Sequence, residues 1–238
     1  MASLAGGPID AVMARRLGDA AVKQIQRPVP LRERVYETLA ELIASGSLRP
    51  DQHLVETELA ELLGVSRQPV REALQWLHNE GWVDLRPGYG AFVHTPTEEE
   101  VDQLLAVRAL LETEAARLAA EHVTGDQVAG LREIWQRGID ALGADKIEDV
   151  VAANAALHRR VAELSGNEVL ASFAAQVDRR VRWYYRPVAR RRGRKSWREH
   201  AELIDAVEAH DGTRAAEIMG RHTDDTRRSY HDHDVAAS

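Results

Sequence analysis

Three histidines in the C-terminal half of the chain sit where metal chemistry could be done. His158 shares a helical side with Val151, Asn154, Leu157 and Val161; His200 with Leu203, Ile204 and Val207; His222 with Ala215, Ile218 and Met219. Neutral imidazoles supply the nitrogen ligands that zinc, nickel and similar ions prefer. A histidine on an apolar face can equally be a hydrogen-bonded core residue, and both readings stand at this stage. Arg108 is the second informative residue. It lies within the stripe Val101, Leu104, Leu105, Leu111, Ala115 and Ala119, so it points into a helical bundle, where a charge without a partner is costly. Glu112, one turn on, can supply an ion pair. The alternative is that Arg108 clamps a carboxylate of a small ligand in the bidentate geometry that suits a guanidinium.

A different chemistry is offered near the N-terminus. Ser66 can cap a helix that accepts Pro69 in its first turn and runs to about Asn79, with Gly81 ending it. Val70, Ala73, Leu74, Trp76 and Leu77 fall on one side of that helix, and Arg67, Gln68, Arg71, Gln75 and His78 on the other. An arginine fork can bond a guanine edge or a phosphate through two donors, although a polar face can also be merely solvated. The element is positioned by its neighbours. A tight turn at Leu63-Gly64-Val65 joins it to a preceding short helix. Leu31 to Gly46 is amphipathic through Leu31, Val35, Leu39, Leu42 and Ile43. The runs at 82–85 and 91–94 flank the turn residues Arg86-Pro87-Gly88-Tyr89-Gly90. Three helices and a hairpin predict a winged helix-turn-helix.

On LVETELAELLGVSRQPVREAL followed by GYGAFV, residues 31–95 resemble the DNA-binding domain of the GntR family of bacterial transcription regulators. The resemblance implies that Ser66, Arg67, Gln68 and Arg71 contact a DNA groove and its phosphates. It also implies that Gly88, Tyr89 and Gly90 form the tip of a wing that approaches the minor groove. Thr57 and Gln68 depart from residues common in well-known members, so the operator sequence does not carry over. The segments VRALLETEAARLAA at 107–120, NAALHRRVAELSGN at 154–167 and EHAELIDAVEAHDGTRAAEIMGRH at 199–222 resemble the FCD ligand domain of the FadR-like subfamily, in its shorter VanR-type branch. That resemblance implies a metal held by an aspartate and three histidines, which map to Asn154, His158, His200 and His222. Asn154 is the departure: it offers a carbonyl oxygen but no charge.

The expected fold is mainly α. A flexible arm spans residues 1–30, a winged helix-turn-helix 31–95, and an all-α six-helix bundle 96–238, with helices near 97–123, 125–143, 146–165, 167–187, 196–210 and 212–231 and a loop at 187–195. The arm's Arg15, Arg16, Lys23 and Arg27 could follow DNA or simply be solvated. The basic run at 190–195 reads as a solvated loop more readily than as a nucleic-acid patch. Arg180 and Trp183, at the edge of the stripe Leu170, Phe173, Val177 and Val181, are candidates for the effector pocket.

Composition bounds the function. The net charge is −7, and residues 31–95 hold 6 basic against 10 acidic groups. DNA binding must therefore rest on a local cluster, and the charge argues against a protein that coats DNA nonspecifically. The chain has no cysteine, which rules out thiol catalysis, disulfides and cysteine metal sites. No apolar run is long enough for a membrane span and no secretory leader is visible, so the expected location is cytoplasmic.

The leading reading is a dimeric regulator, in the sense of a repressor, bound to a palindromic double-stranded DNA operator. It carries an anionic effector, a small carboxylate or sugar acid, and a divalent metal, zinc or nickel, in the helical domain. Two others stay open: a DNA-binding protein whose C-terminal domain only dimerises, and a metal-dependent enzyme, against which stand the absence of HExxH and of an evident carboxylate base beside the histidines.

Overall fold

The computed structural model describes residues 29–234, with the side chains at 184–191 and 232–234 outside the description. The expected N-terminal arm lies outside the described residues but for its last two. Eight helices and three strands occur among the described residues: α1 (Leu31–Ala44), β1 (His53–Leu54), α2 (Glu56–Leu63), α3 (Arg67–Asn79), β2 (Val83–Arg86), β3 (Gly90–Val93), α4 (Glu98–His122), α5 (Gly125–Gly143), α6 (Ile147–Leu164), α7 (Glu168–Glu208) and α8 (Gly212–Asp234).

In the N-terminal half, α1 packs on α3, and α2 meets α3 across a turn closed by Gly64, whose φ of 65° is left-handed. Ser66 takes the N-cap position of α3 with extended backbone, but its side chain makes no capping hydrogen bond. The hairpin gains a short third strand that the pattern did not indicate. β1 pairs antiparallel with β3, giving the order β1-β3-β2 with His53 opposite Phe92. Leu39, Ile43, Val70, Leu77, Trp82 and Val93 make the centre of this core. Two residues assigned to the core face lie outside it. Leu31 is exposed, and Trp76 stacks on Tyr36 at 4.5 Å while donating to Glu80 at 2.9 Å. A tryptophan at the rim can cover apolar surface while keeping its N–H satisfied.

The link to the second half is a capped helix start. Thr97 accepts from the Glu100 backbone at 3.2 Å, and Glu100 accepts from the Thr97 backbone at 2.7 Å. α5 begins likewise, with the Gln127 side chain accepting from Thr124 at 2.9 Å. The helical half has five described helices rather than six, because the expected loop at 187–195 is not one: α7 runs unbroken from Glu168 to Glu208. Local signals favoured a break. They are outweighed by an inner stripe in which Arg192, Ser196, Trp197, His200, Leu203, Ile204 and Val207 are all buried, since packing of a continuous face contributes more to helix stability than local propensity does. Phe173, assigned to that helix's inner side, is instead exposed. No helix among the described residues is long and apolar enough to cross a membrane.

Candidate functional site

Four helices bring their chemistry to one place. α6 contributes Asn154 and His158 one turn apart, α7 contributes His200, α8 contributes His222, and α4 contributes Arg108 and Glu112. All are buried, the three histidines at no more than 3% exposure. Each histidine places a ring nitrogen within 4.8 Å of the others, and the Nε2 atoms of His158 and His200 are 3.3 Å apart.

Two carboxylates hold the far sides of the rings. Glu112 Oε2 lies 3.0 Å from His158 Nδ1, an ion-pair distance outside hydrogen-bond geometry, and Glu199 Oε2 is hydrogen-bonded to His222 Nδ1 at 2.8 Å. His222, donating its Nδ1 proton to Glu199, turns its Nε2 lone pair the other way, the arrangement by which an outer carboxylate orients a metal-binding histidine. His222 Nε2 and Asn154 Oδ1 have no hydrogen-bond partner among the described residues. Buried acceptors left so are costly, and a cation that they share would satisfy them. The residues fit a divalent ion: three imidazole nitrogens lie within 4.8 Å of one another, and an unpartnered amide oxygen is buried one turn before the first of them.

Electrostatics agree with neutral rings. Burial, and then the neighbouring histidines, hold His200 and His222 well below the usual imidazole range. Burial opposes ionisation of Glu112, but Arg108, 2.8 Å away through its Nε, and His158 outweigh it and hold the carboxyl well below its ordinary value. Because the two histidines bind protons more weakly when folded than when unfolded, the metal-stripped protein is most stable above the unfolded histidine value. It is expected to lose stability as pH falls below about 6.5, by up to ~1.4 kcal/mol per pH unit for each ring. Urea midpoints of chelator-treated protein between neutral and mildly acid pH measure this; a flat profile would contradict neutral burial.

Three site residues escaped the sequence reading. Glu199 was hidden beside His200. Arg192 belonged to the supposed solvated loop, yet it is buried, donating to Glu199 at 2.6 Å and to the His222 carbonyl at 3.0 Å. Asp178 is buried on α7, where burial raises its carboxyl and Arg108 opposes the rise. Its place on a stripe with Ala174 and Val181 is the same signal that singled out Arg108. The inward faces do therefore carry carboxylates near the histidines, but Glu112 and Glu199 meet the outer ring nitrogens.

Arg180 and Trp183 are not in this cluster. The Arg180 guanidinium lies against Gly81, where an added Cβ would come within 3.3 Å of it. Trp183 stacks on Trp82 at 5.7 Å. With Arg182, which reaches Glu41 at 3.1 Å, they join α7 to the winged half, because the helix presents these residues on its outer side while Asp178 and Val181 face inward.

The second site is a cleft of about 520 Å³ between α2, the start of α3 and the wing, lined in part by Glu56, Arg67, Arg71, Gln75, Arg86 and Gly88. Arg67, Gln68 and Arg71 are exposed along α3, and Gln68 bonds Glu72 at 2.8 Å. Tyr89 stands out from the wing tip at 76% exposure, on a turn that requires left-handed backbone at Gly88 and Gly90, φ 78° and 99°.

Residues 103–225 match the FCD domain family, and residues 31–93 match the bacterial regulatory proteins of the gntR family. The chain is 31% identical over 206 residues to the HTH-type transcriptional regulator LutR of Bacillus subtilis, covering 76% of this chain and 92% of that one. It is 32% identical over 142 residues to the Nta operon transcriptional regulator of Aminobacter aminovorans, covering 60% and 67%. Among solved structures, that of Escherichia coli McbR/YncC superposes with a TM-score of 0.77 at 22% identity, over 87% of this chain and 99% of that one; at that identity the likeness shows the fold alone.

Proposed function

Because the chain belongs to the GntR family of bacterial regulatory proteins and carries an FCD domain, we propose that this DNA-binding transcription regulator, which is not an enzyme, acts as a ligand-responsive repressor. In this reading two copies pair on a palindromic operator, α3 enters the major groove through Ser66, Arg67, Gln68 and Arg71, and Gly88, Tyr89 and Gly90 bring the wing to the minor groove. The surface assigned to pairing includes the exposed Val107 and Leu110 of α4 and Val169 and Phe173 of α7, two helices packed on each other.

The observation that carries ligand response is the convergence of three buried imidazoles, with the buried Asn154 carbonyl oxygen, one turn before His158, left without a hydrogen-bond partner. His158, His200, His222 and Asn154 would hold zinc or nickel, and the ion would supply positive charge to an anion beside it. Asn154 contributes none of the negative charge an aspartate would, so a small carboxylate or sugar acid completes the balance, and Arg108 borders the same space. Response reaches DNA through α7. Asp178 lies in the field of Arg108, Glu112 and His158, and within two turns Arg182 and Trp183 grip the winged half. An effector that favours one placement of α7 shifts the population of DNA-binding arrangements by its differential affinity for them.

Metal analysis of purified protein, with His158→Ala as control, tests the site. Bound zinc or nickel is expected in the wild type and little in the variant; equal content in both would remove the metal reading. A carboxylate screen by thermal shift, with and without metal, then finds the effector, since ligand at about 100 times its Kd stabilises by ~2.7 kcal/mol. A second reading, in which the C-terminal half only dimerises, is favoured by the 3.3 Å approach of His158 and His200, which can be a direct hydrogen bond between rings. Metal-free protein whose DNA binding responds to no carboxylate would select it.

A further inference from the structure

Glu56 opens α2 at the floor of the DNA cleft and holds both arginines of the recognition helix. Its Oε1 accepts from Arg71 Nε at 2.9 Å, and its Oε2 accepts from Arg71 Nη2 at 2.8 Å and from Arg67 Nη2 at 3.1 Å. The Arg71 fork is thus engaged bidentately by a residue of its own chain, in the geometry that a guanine edge or a phosphate would require. Around this triad the charge is already adverse to DNA, since residues 31–95 hold 10 acidic against 6 basic groups. The other basic side chain on the cleft wall is also engaged, for Arg86 pairs with Asp51 and lies over the Phe92 ring at 4.1 Å.

We propose that Glu56 is a specificity-determining residue of the DNA site, an internal competitor that Arg67 and Arg71 exchange for a ligand only where base edges and phosphates together replace its two-pronged contact. The energetic logic is one of differences. A phosphate alone offers Arg71 little that the Glu56 carboxylate does not already provide, and the freed carboxylate then faces the polyanion. A correct site adds hydrogen bonds to base edges and recovers that loss. The same carboxylate lowers affinity for arbitrary duplex more than affinity for the operator, which is specificity by disfavouring the wrong partner. Burial does not confuse the comparison, because Glu56 and both arginines are at the surface, with side-chain exposures of 28%, 58% and 52%.

The inference rests on the assignment of Arg67 and Arg71 to DNA, and the experiment separates the two. Full-length wild type, Glu56→Gln, Glu56→Asp and Arg71→Ala are titrated against a random-sequence duplex of about 30 base pairs, roughly three helical turns, over a series of salt concentrations. Glu56→Gln is expected to bind this duplex about tenfold more tightly and to steepen the slope of log K against log salt by about 1, the signature of one further phosphate contact. Selection from the same random library is expected to give a narrower consensus for wild type than for Glu56→Gln. Glu56→Asp, which keeps the charge, is expected to stay near wild type in slope. Thermal melting confirms that each variant is folded. Glu56→Gln binding with unchanged or weaker affinity and an unchanged slope, while Arg71→Ala loses binding, overturns the competitor role alone. Binding by Arg71→Ala indistinguishable from wild type overturns the DNA assignment of that arginine, and the competitor role falls with it.

Discussion

Replacing Arg108 with alanine is expected to cost the helical domain about 3–5 kcal/mol, because it leaves the Glu112 carboxylate buried without its cation. Arg108 is 1% exposed and Glu112 5%, and they meet at 2.8 Å one helical turn apart. The cost follows from the orphaned partner more than from the contact itself, so Arg108→Met combined with Glu112→Leu should recover much of the loss. Urea unfolding of the two single variants and the double variant measures this coupling; an Arg108→Ala protein within about 1 kcal/mol of wild type would show that the pair is solvated. The consequence for function is direct. Loss of effector response in Arg108→Ala cannot by itself be read as loss of a carboxylate clamp, since Glu112 also holds His158 Nδ1 at 3.0 Å. Glu112→Gln separates the two. It keeps the shape, removes the charge beside His158 Nδ1, and is expected to weaken metal binding about 10–100-fold, as loss of an outer carboxylate does.

The winged half was legible because its signals are local and agree with one another. Gly64 and Gly81 end helices with φ of 65° and 76°, and the turn residues at 86–90 place the hairpin within a residue of its observed strands. β1 was missed because two residues carry no periodicity. In the helical half, inward faces were readable for His158, His200, His222 and Arg108, all of which are buried. What failed was the expectation of a loop at 187–195 around the basic run at 190–195, since the helix is continuous from Glu168 to Glu208. A basic residue was read as a solvated one, whereas Arg192 is buried against Glu199, His222 and Thr226. Partners on other helices decide such a case, and they are not visible from spacing along one helix. Arg180 and Trp183 failed for a related reason. Periodicity gives the angle of a residue around its helix but not which neighbour occupies that angle, and here the neighbour is the winged domain.

Gly138→Ala is the substitution for which the packing makes the sharpest expectation, because its sign is opposite to that of the local rule. Alanine within a helix interior normally stabilises relative to glycine by about 0.5–1 kcal/mol. In α5, however, a Cβ on Gly138 would lie 1.9 Å from Trp197 Cη2 and 2.1 Å from Cζ2. These are ring atoms of a side chain that is only 1% exposed. Trp197 is further fixed because its carbonyl accepts from Trp135 Nε1 at 2.8 Å. One added methyl group therefore forces backbone or ring displacement, at a cost of about 1–3 kcal/mol or more. The displacement does not stop at the core. Trp197 meets His200 edge-on at 4.9 Å, and His200 Nε2 lies 3.3 Å from His158 Nε2. Gly138→Ala is thus expected to lower both the urea midpoint and the metal affinity, although α5 carries no histidine. Trp197→Leu alone should also destabilise, by creating a cavity, but in the Gly138→Ala background its cost should shrink, because the smaller side chain relieves the clash. Additive losses in that double variant would mean that the glycine and the tryptophan do not share one space. A Gly138→Ala protein as stable as wild type would place Trp197 elsewhere, and with it the wall that holds His200 toward the other two rings.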